Sequence, residues 1–191
     1  TLEEMKALCQ KADYLVGSGS LPPGVPQDFW GRLVKIGREN NARCIIDTSG
    51  EALHMAAEEG VYLLKPNLGE LSSLTHQKSV TAMEQEELAK KLIDSGKTEV
   101  VVVSMGPRGA MIATKDQVEY IPAPTVHKKS TVGAGDSMVA GMVLRLAQGK
   151  DLKDVACFGV ASGTAATLNE GTSLCKKEDT EHLYQWIKTK V

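Results

Sequence analysis

The chain is poor in aromatic residues: two Phe, two Trp and four Tyr make up 4% of its 191 residues. Its core must then be built mostly from Val, Ile, Leu, Ala and Met. No apolar run approaches the roughly 20 residues that cross a bilayer as a helix, so a membrane is not an expected partner. Nor does a block of one charge occur. The 22 Lys and Arg are outweighed by 24 Asp and Glu, for a formal net charge of -2, which argues against nucleic-acid binding through bulk charge. Cys9, Cys44, Cys157 and Cys175 lie far apart, with no C-x-x-C pair and no paired histidines beside them. That spacing excludes an ordinary zinc site and fits idle thiols in a reducing cytoplasm. No secretory signal pattern opens the sequence. The first residue is Thr1, and a helical pattern starts at once, so the chain is expected to be a piece of something longer. Neither G-x-x-x-x-G-K-[ST] nor G-x-G-x-x-G is present, against P-loop and dinucleotide folds.

What is there suits one globular domain over residues 1–191, since 42% of residues are hydrophobic and 24% charged. Such a chain buries roughly 70% of its unfolded surface. Leu2, Met5, Leu8 and Ala12 recur at helical spacing, and Asp13–Val16 reads as a strand ending in Gly17-Ser18-Gly19-Ser20. A helix follows on Phe29, Leu33, Ile36 and Gly37, then a strand at 44–47, a helix at 52–59 and a strand at 61–64. A helix over 82–95 leads to Val100–Val103, four β-branched residues in a row. Short wholly apolar strands alternating with amphipathic helices imply a mainly parallel sheet covered on both faces. Residues 109–113 and 117–121 read as a hairpin around Lys115-Asp116, and helices are expected over 135–148, 152–168 and 178–189.

Three segments could carry chemistry. Thr131-Val132-Gly133-Ala134-Gly135-Asp136 opens a helix whose first N–H groups lack internal partners and lie at the positive end of its dipole. Small residues let an anion approach that main chain, and Asp136 could take a proton from an alcohol while charge develops on a transferring phosphoryl group. An ordinary Gly-rich turn with an aspartate cap explains the same residues. Lys65-Pro66-Asn67-Leu68-Gly69-Glu70 follows a strand, where open α/β sheets bind ligands. Glu70 could organise magnesium through water and Lys65 could offer a point charge to phosphates, yet Asn67 and Glu70 also have the spacing of a capping box. Ser104-Met105-Gly106-Pro107-Arg108-Gly109 leaves the Val100–Val103 strand, and its glycines allow either close passage of a nucleotide or a simple turn. The histidines, His54, His76, His127 and His182, are scattered and read as solvent-exposed; Met55, Met83, Met105, Met111, Met138 and Met142 read as core filler.

The three segments, in this order and spacing, resemble the ribokinase-like PfkB carbohydrate kinases over nearly the whole chain. Gly17–Gly24 resembles the branch of that family acting on sugar phosphates. Ile46–Leu53 and Ala165–Thr172 are similar to its 6-phosphofructokinase members. The resemblance implies a three-layer α/β/α fold with a mainly parallel central sheet. It also implies ATP-dependent phosphorylation of a ketohexose phosphate, above all fructose 6-phosphate to fructose 1,6-bisphosphate. Kinases of fructose 1-phosphate or tagatose 6-phosphate, or a non-catalytic nucleotide-binding fragment, are the alternatives. By the same resemblance Asp136 is the general base, and the amides of Gly133, Ala134 and Gly135 form an anion hole. Asn67 and Glu70 serve Mg2+ and the phosphates, while Lys65, Ser104, Gly106 and Gly109 line the ATP site. Ser18 or Ser20 contacts the sugar, and Ser130, Val132, Ala166, Asn169, Gly171 and Ser173 surround K+. Family members are longer, with an N-terminal sugar-binding motif and a lid sheet that usually forms a homodimer. Neither is in this sequence, so the chain is expected to be the C-terminal, nucleotide-binding and catalytic portion.

Overall fold

The structure, a computed structural model, describes residues 2–77, 81 and 84–191, without the side chains of Leu2 and Glu3. Its six strands follow one another in the sheet in chain order, β1 to β6. Two compact units are distinguished, the first Thr1–Val103 with Ala113–Val118, the second Ser104–Ile112 with Glu119–Val191.

In the first unit, β1 (Tyr14–Ser18), β2 (Arg43–Asp47), β3 (Val61–Leu64) and β4 (Thr98–Ser104) pair in parallel. The register sets Ser18 against Asp47, Ile46 against Leu64 and Leu64 against Val101, so the carboxyl ends of the strands come together. Ile45, Ile46, Leu63, Leu64 and Val101–Val103 are buried to 1% exposure or less. Burial of both sheet faces is why these strands read as continuous apolar runs instead of alternating. The crossovers are α2 (Phe29–Glu39), α3 (Gly50–Glu58), α4 (Leu68–Leu74) and α5 (Glu84–Asp94), preceded by α1 (Leu2–Cys9). Residues 82 and 83, the first two of the helix expected over 82–95 and including Met83 of the expected core, lie outside the described residues. In α1 the apolar stripe misleads: Leu8 is 72% exposed, and Cys9 is the residue that goes inside. Met55 is likewise on the surface and not in the core.

The second unit begins with a tight turn at Gly106–Arg108 and the strand β5 (Ala110–Ala113), followed by β6 (Val118–Ile121). The expected hairpin forms, and its tip, which belongs to the first unit, is closed by Thr114 N–H donating to Gln117 C=O at 2.9 Å. Three helices follow, α6 (Ala134–Ala147), α7 (Leu152–Ala166) and α8 (Lys177–Lys188). Glycines bring α6 and α7 close: a Cβ on Gly159 would lie 2.6 Å from Met142 Cγ, and one on Gly163 would lie 3.1 Å from Ala134 O. The start of α6 is therefore held by direct backbone packing.

A polar cluster ties the three helices. The Tyr184 hydroxyl donates to Asp154, and the Arg145 guanidinium lies 4.0 Å over the Phe158 ring and 4.7 Å over that of Tyr184. Burial, then the hydrogen bond to Asp154 and its charge, push the Tyr184 phenol up to about 12. A phenol raised in the folded state stabilises fully below its unfolded value of about 10. That stability is lost as pH rises through about 12. Tyr184→Phe is expected to cost about 1.5–3 kcal/mol at pH 7, since a hydrogen bond to a carboxylate is lost. It should also flatten the alkaline fall in stability. Urea unfolding at pH 7 and at successive steps above pH 10 measures both effects.

Candidate active site

In the first unit the candidate residues stand at the carboxyl ends of the strands. Ser18 ends β1, and the loop after it is pinned to β2: Gly19 N–H donates to Asp47 C=O at 2.9 Å and Thr48 Oγ1 donates to Gly19 C=O at 2.8 Å. Gly19 adopts φ +90, which favours glycine, and so lets Ser18 and Ser20 both reach the surface. Lys65 follows β3 directly. Its Nζ lies 3.0 Å from Asp47 Oδ1, with side chains only 7% and 16% exposed. Lys65 is thus a buried, paired cation and not a free point charge. Asp47 was not among the residues singled out from the sequence. An acid ending a parallel strand at a ligand-binding edge was the available signal.

Asn67 and Glu70 do form the capping box of α4. Asn67 Oδ1 accepts from Glu70 N–H at 2.9 Å, and Glu70 Oε2 accepts from Asn67 N–H at 2.8 Å. Glu70 is half-buried, and burial raises its carboxyl above the usual range. The bond from Asn67 and the charge of Lys65 oppose that rise, while Asp47 adds to it. The cap uses Glu70 Oε2, and a half-buried carboxylate at this position suits a cation that keeps most of its waters. No cluster of three or more His, Cys, Asp or Glu able to hold a metal occurs among the described residues. Magnesium there would rest on Glu70 and on phosphate oxygens of a nucleotide, as that ion commonly does.

In the second unit, Ser104 ends β4 and the chain turns at once: Met105 N–H donates to Gly109 C=O at 2.8 Å, and Gly109 N–H to Gly106 C=O at 3.0 Å. The two glycines differ. Gly106 (φ +59) is exposed, with nothing within 4 Å of where a Cβ would stand. Gly109 (φ +97) is buried; a Cβ would overlap Ile121 O and lie 2.7 Å from Ala123 N. Close passage of the chain itself therefore demands glycine at 109.

Gly133, in the left-handed region at φ +77, caps α6. Ala134 N–H makes a long 3.3 Å bond to Thr131 C=O, and Ser137 N–H donates to Gly133 C=O at 2.9 Å. The N–H groups of Gly133 and Gly135 have no hydrogen-bond partner among the described residues. Asp136 sits exposed in this first turn. Donors without partners, a positive helix end and an adjacent carboxylate thus share one turn.

The loop after α7 returns to the segment before α6. Ser130 Oγ donates to Gly171 C=O at 2.7 Å and accepts from Val132 N–H at 3.2 Å. Asn169 is buried and its amide NH2 donates to Ala165 and Leu174 carbonyls at 3.3 and 3.0 Å. Ala166 C=O accepts from Asn169 N–H at 3.1 Å, and Ser173 N–H donates to Glu170 C=O at 3.3 Å. Ser130, Val132 and Gly171 are thereby drawn together. Away from these residues, His54 Nε2 lies 2.9 Å from Ser73 Oγ and its ring stacks on His76, so two of the four histidines are not isolated.

The residues that follow β3 and β4, and the glycine-rich helix start with its aspartate, are the segments in which the sequence resembles the carbohydrate kinases. The chain belongs to the pfkB family carbohydrate kinases, which it matches over residues 1–179. Among curated relatives, it is 42% identical over 187 residues to ATP-dependent 6-phosphofructokinase isozyme 2 of Escherichia coli (strain K12), covering 97% of this chain and 60% of that protein. It is 35% identical over 169 residues to 1-phosphofructokinase of Bacillus subtilis (strain 168), covering 88% and 55%. The solved structure of phosphofructokinase-2 from Escherichia coli in complex with potassium superposes with a TM-score of 0.91 at 40% identity, over 97% of this chain and 62% of that one. The fold is the ribokinase-like α/β fold expected from the sequence. This chain spans about 60% of the E. coli relative's length.

Proposed function

We propose that this chain is the nucleotide-binding and catalytic portion of a sugar-phosphate kinase that transfers the γ-phosphoryl group of ATP to the free primary alcohol of fructose 6-phosphate. The observation that carries the reading is Asp136 in the first turn of α6, beside the unpartnered N–H groups of Gly133 and Gly135. The alcohol oxygen forms a bond to the γ-phosphorus, the bond to the β–γ bridging oxygen breaks, and ADP leaves. Asp136 accepts the hydroxyl proton as general base. The Gly133, Ala134 and Gly135 amides and the α6 dipole stabilise charge on the phosphoryl oxygens. Lys65, Asn67, Ser104, Gly106 and Gly109 serve the nucleotide. Glu70, with Asn67, would hold Mg2+, which would supply neutralisation of charge on the phosphates. Ser18 or Ser20 contacts the sugar. Ser130, Val132, Ala166, Asn169, Gly171 and Ser173 would surround K+. The whole protein is proposed to be a cytoplasmic homodimer.

Fructose 1-phosphate is the second substrate reading, favoured by the 35% identity to the Bacillus subtilis 1-phosphofructokinase. A panel of fructose 6-phosphate, fructose 1-phosphate and tagatose 6-phosphate decides between them. ADP release is assayed on this chain alone and with the N-terminal part of a relative supplied. The expected result is little transfer by the chain alone and, once completed, highest kcat/KM for fructose 6-phosphate. Preference for fructose 1-phosphate would establish the second reading, and transfer to none of the three would overturn both.

A further inference from the structure

A cavity of about 270 Å3 opens at the amino ends of the parallel strands, lined among others by Arg38, Asn41, Arg43, Tyr62 and Glu99. Arg43 is the first residue of β2 and Asp47 the last, so the cavity is roughly 13 Å along the strand from the residues placed around the nucleotide.

The acidic residues around this edge are largely committed elsewhere. Glu59 pairs with Lys35 at 3.0 Å and Glu58 with Lys97 at 2.6 Å. Arg38 and Arg43 have no carboxylate within ion-pair distance among the described residues, whereas Arg32 and Arg145 both do. Each is nevertheless held in place. Arg38 donates through one nitrogen to the Glu59 carbonyl. Arg43 stacks 4.8 Å over the Tyr62 ring and lies 3.5 Å from the Tyr14 hydroxyl. A guanidinium has five N–H donors, so most remain for a ligand. Fixed planar forks of this kind match the oxygens of phosphate, and their anchoring lowers the entropy lost on binding.

We propose that this cavity binds a phosphate group, free or as the head of a small hydroxylated monoester, with Arg38 and Arg43 on the phosphate. Glu99, the one carboxylate in the lining, accepts a hydroxyl where the ligand is an ester. The volume lies just below the roughly 300–1,000 Å3 of sites for larger ligands, which suits an occupant the size of a small phosphate ester.

The test is titration of the 15N-labelled chain with inorganic phosphate and with glycerol 3-phosphate, at constant ionic strength against chloride. Backbone amide shifts are read at Gly60 and Tyr62, and at Gly133 and Gly135 for comparison. Saturable shifts at Gly60 and Tyr62 are expected, at least tenfold weaker in affinity in Arg38→Ala and Arg43→Ala. Arg43→Lys keeps the charge without the fork and should also weaken binding, which decides the matter if an alanine variant does not fold. Tighter binding of glycerol 3-phosphate, lost in Glu99→Gln, identifies the ester; equal affinities identify free phosphate. Shifts confined to Gly133 and Gly135, or unchanged in the arginine variants, would overturn the proposal whatever becomes of the kinase reading.

Discussion

Asp136→Asn is expected to lower phosphoryl transfer by about 10²–10⁴-fold, the usual contribution of a positioned general base. The substitution is nearly isosteric, but an amide cannot take the proton of the attacking alcohol. It leaves the Gly133 and Gly135 donors in place, so MgATP affinity should change little. Folding should change little as well, because a carboxylate in the first turn contributes about 0.3–1 kcal/mol through the dipole and Asp136 is exposed. The readouts are kcat from ADP release, with the N-terminal part of a relative supplied, and MgATP affinity by calorimetry. Undiminished kcat would remove Asp136 from the role of base. Loss of nucleotide affinity with unchanged chemistry would make it a binding residue instead.

The largest effect on stability is expected at Gly109→Ala, at about 3 kcal/mol or more. A side chain there meets two separate penalties. The left-handed backbone costs on the order of 1–3 kcal/mol for a non-glycine residue. Overlap with the Ile121 carbonyl and a 2.7 Å approach to Ala123 N then force a backbone shift of the kind that costs about 1–3 kcal/mol. Gly106→Ala is the control. It shares the positive φ, but its Cβ would project into open space, so only the first penalty applies. Chemical denaturation midpoints of the two variants separate conformation from close approach. Equal losses would mean that the hairpin gives way at Gly109.

The same pair of glycines shows how far the sequence could be read. Ser104–Gly109 was recognisable as a turn after a strand, but which glycine serves close packing depends on Ile121, a residue twelve positions away. The parallel strands were legible because burial on both faces leaves a local signature, four valines in a row at Val100–Val103. The helix α4 was not anticipated, being only seven residues long, although its capping pair Asn67 and Glu70 was noticed. Leu8 misled because spacing reports a stripe on α1 and not what lies opposite it. The Lys65–Asp47 pair was invisible for the same reason: 18 positions separate its members, and the β2–β3 register alone brings them to 3.0 Å. Asp136 and the glycines before it were legible because a helix start is a local motif whose donors can be counted from sequence.

On this reading the chain by itself assembles a nucleotide site. Calorimetric titration of MgATP into the purified 191-residue chain, with and without potassium, tests it most directly. Saturable one-site binding that persists in Asp136→Asn is the predicted result. Absence of binding by a folded chain, in either salt, would contradict it.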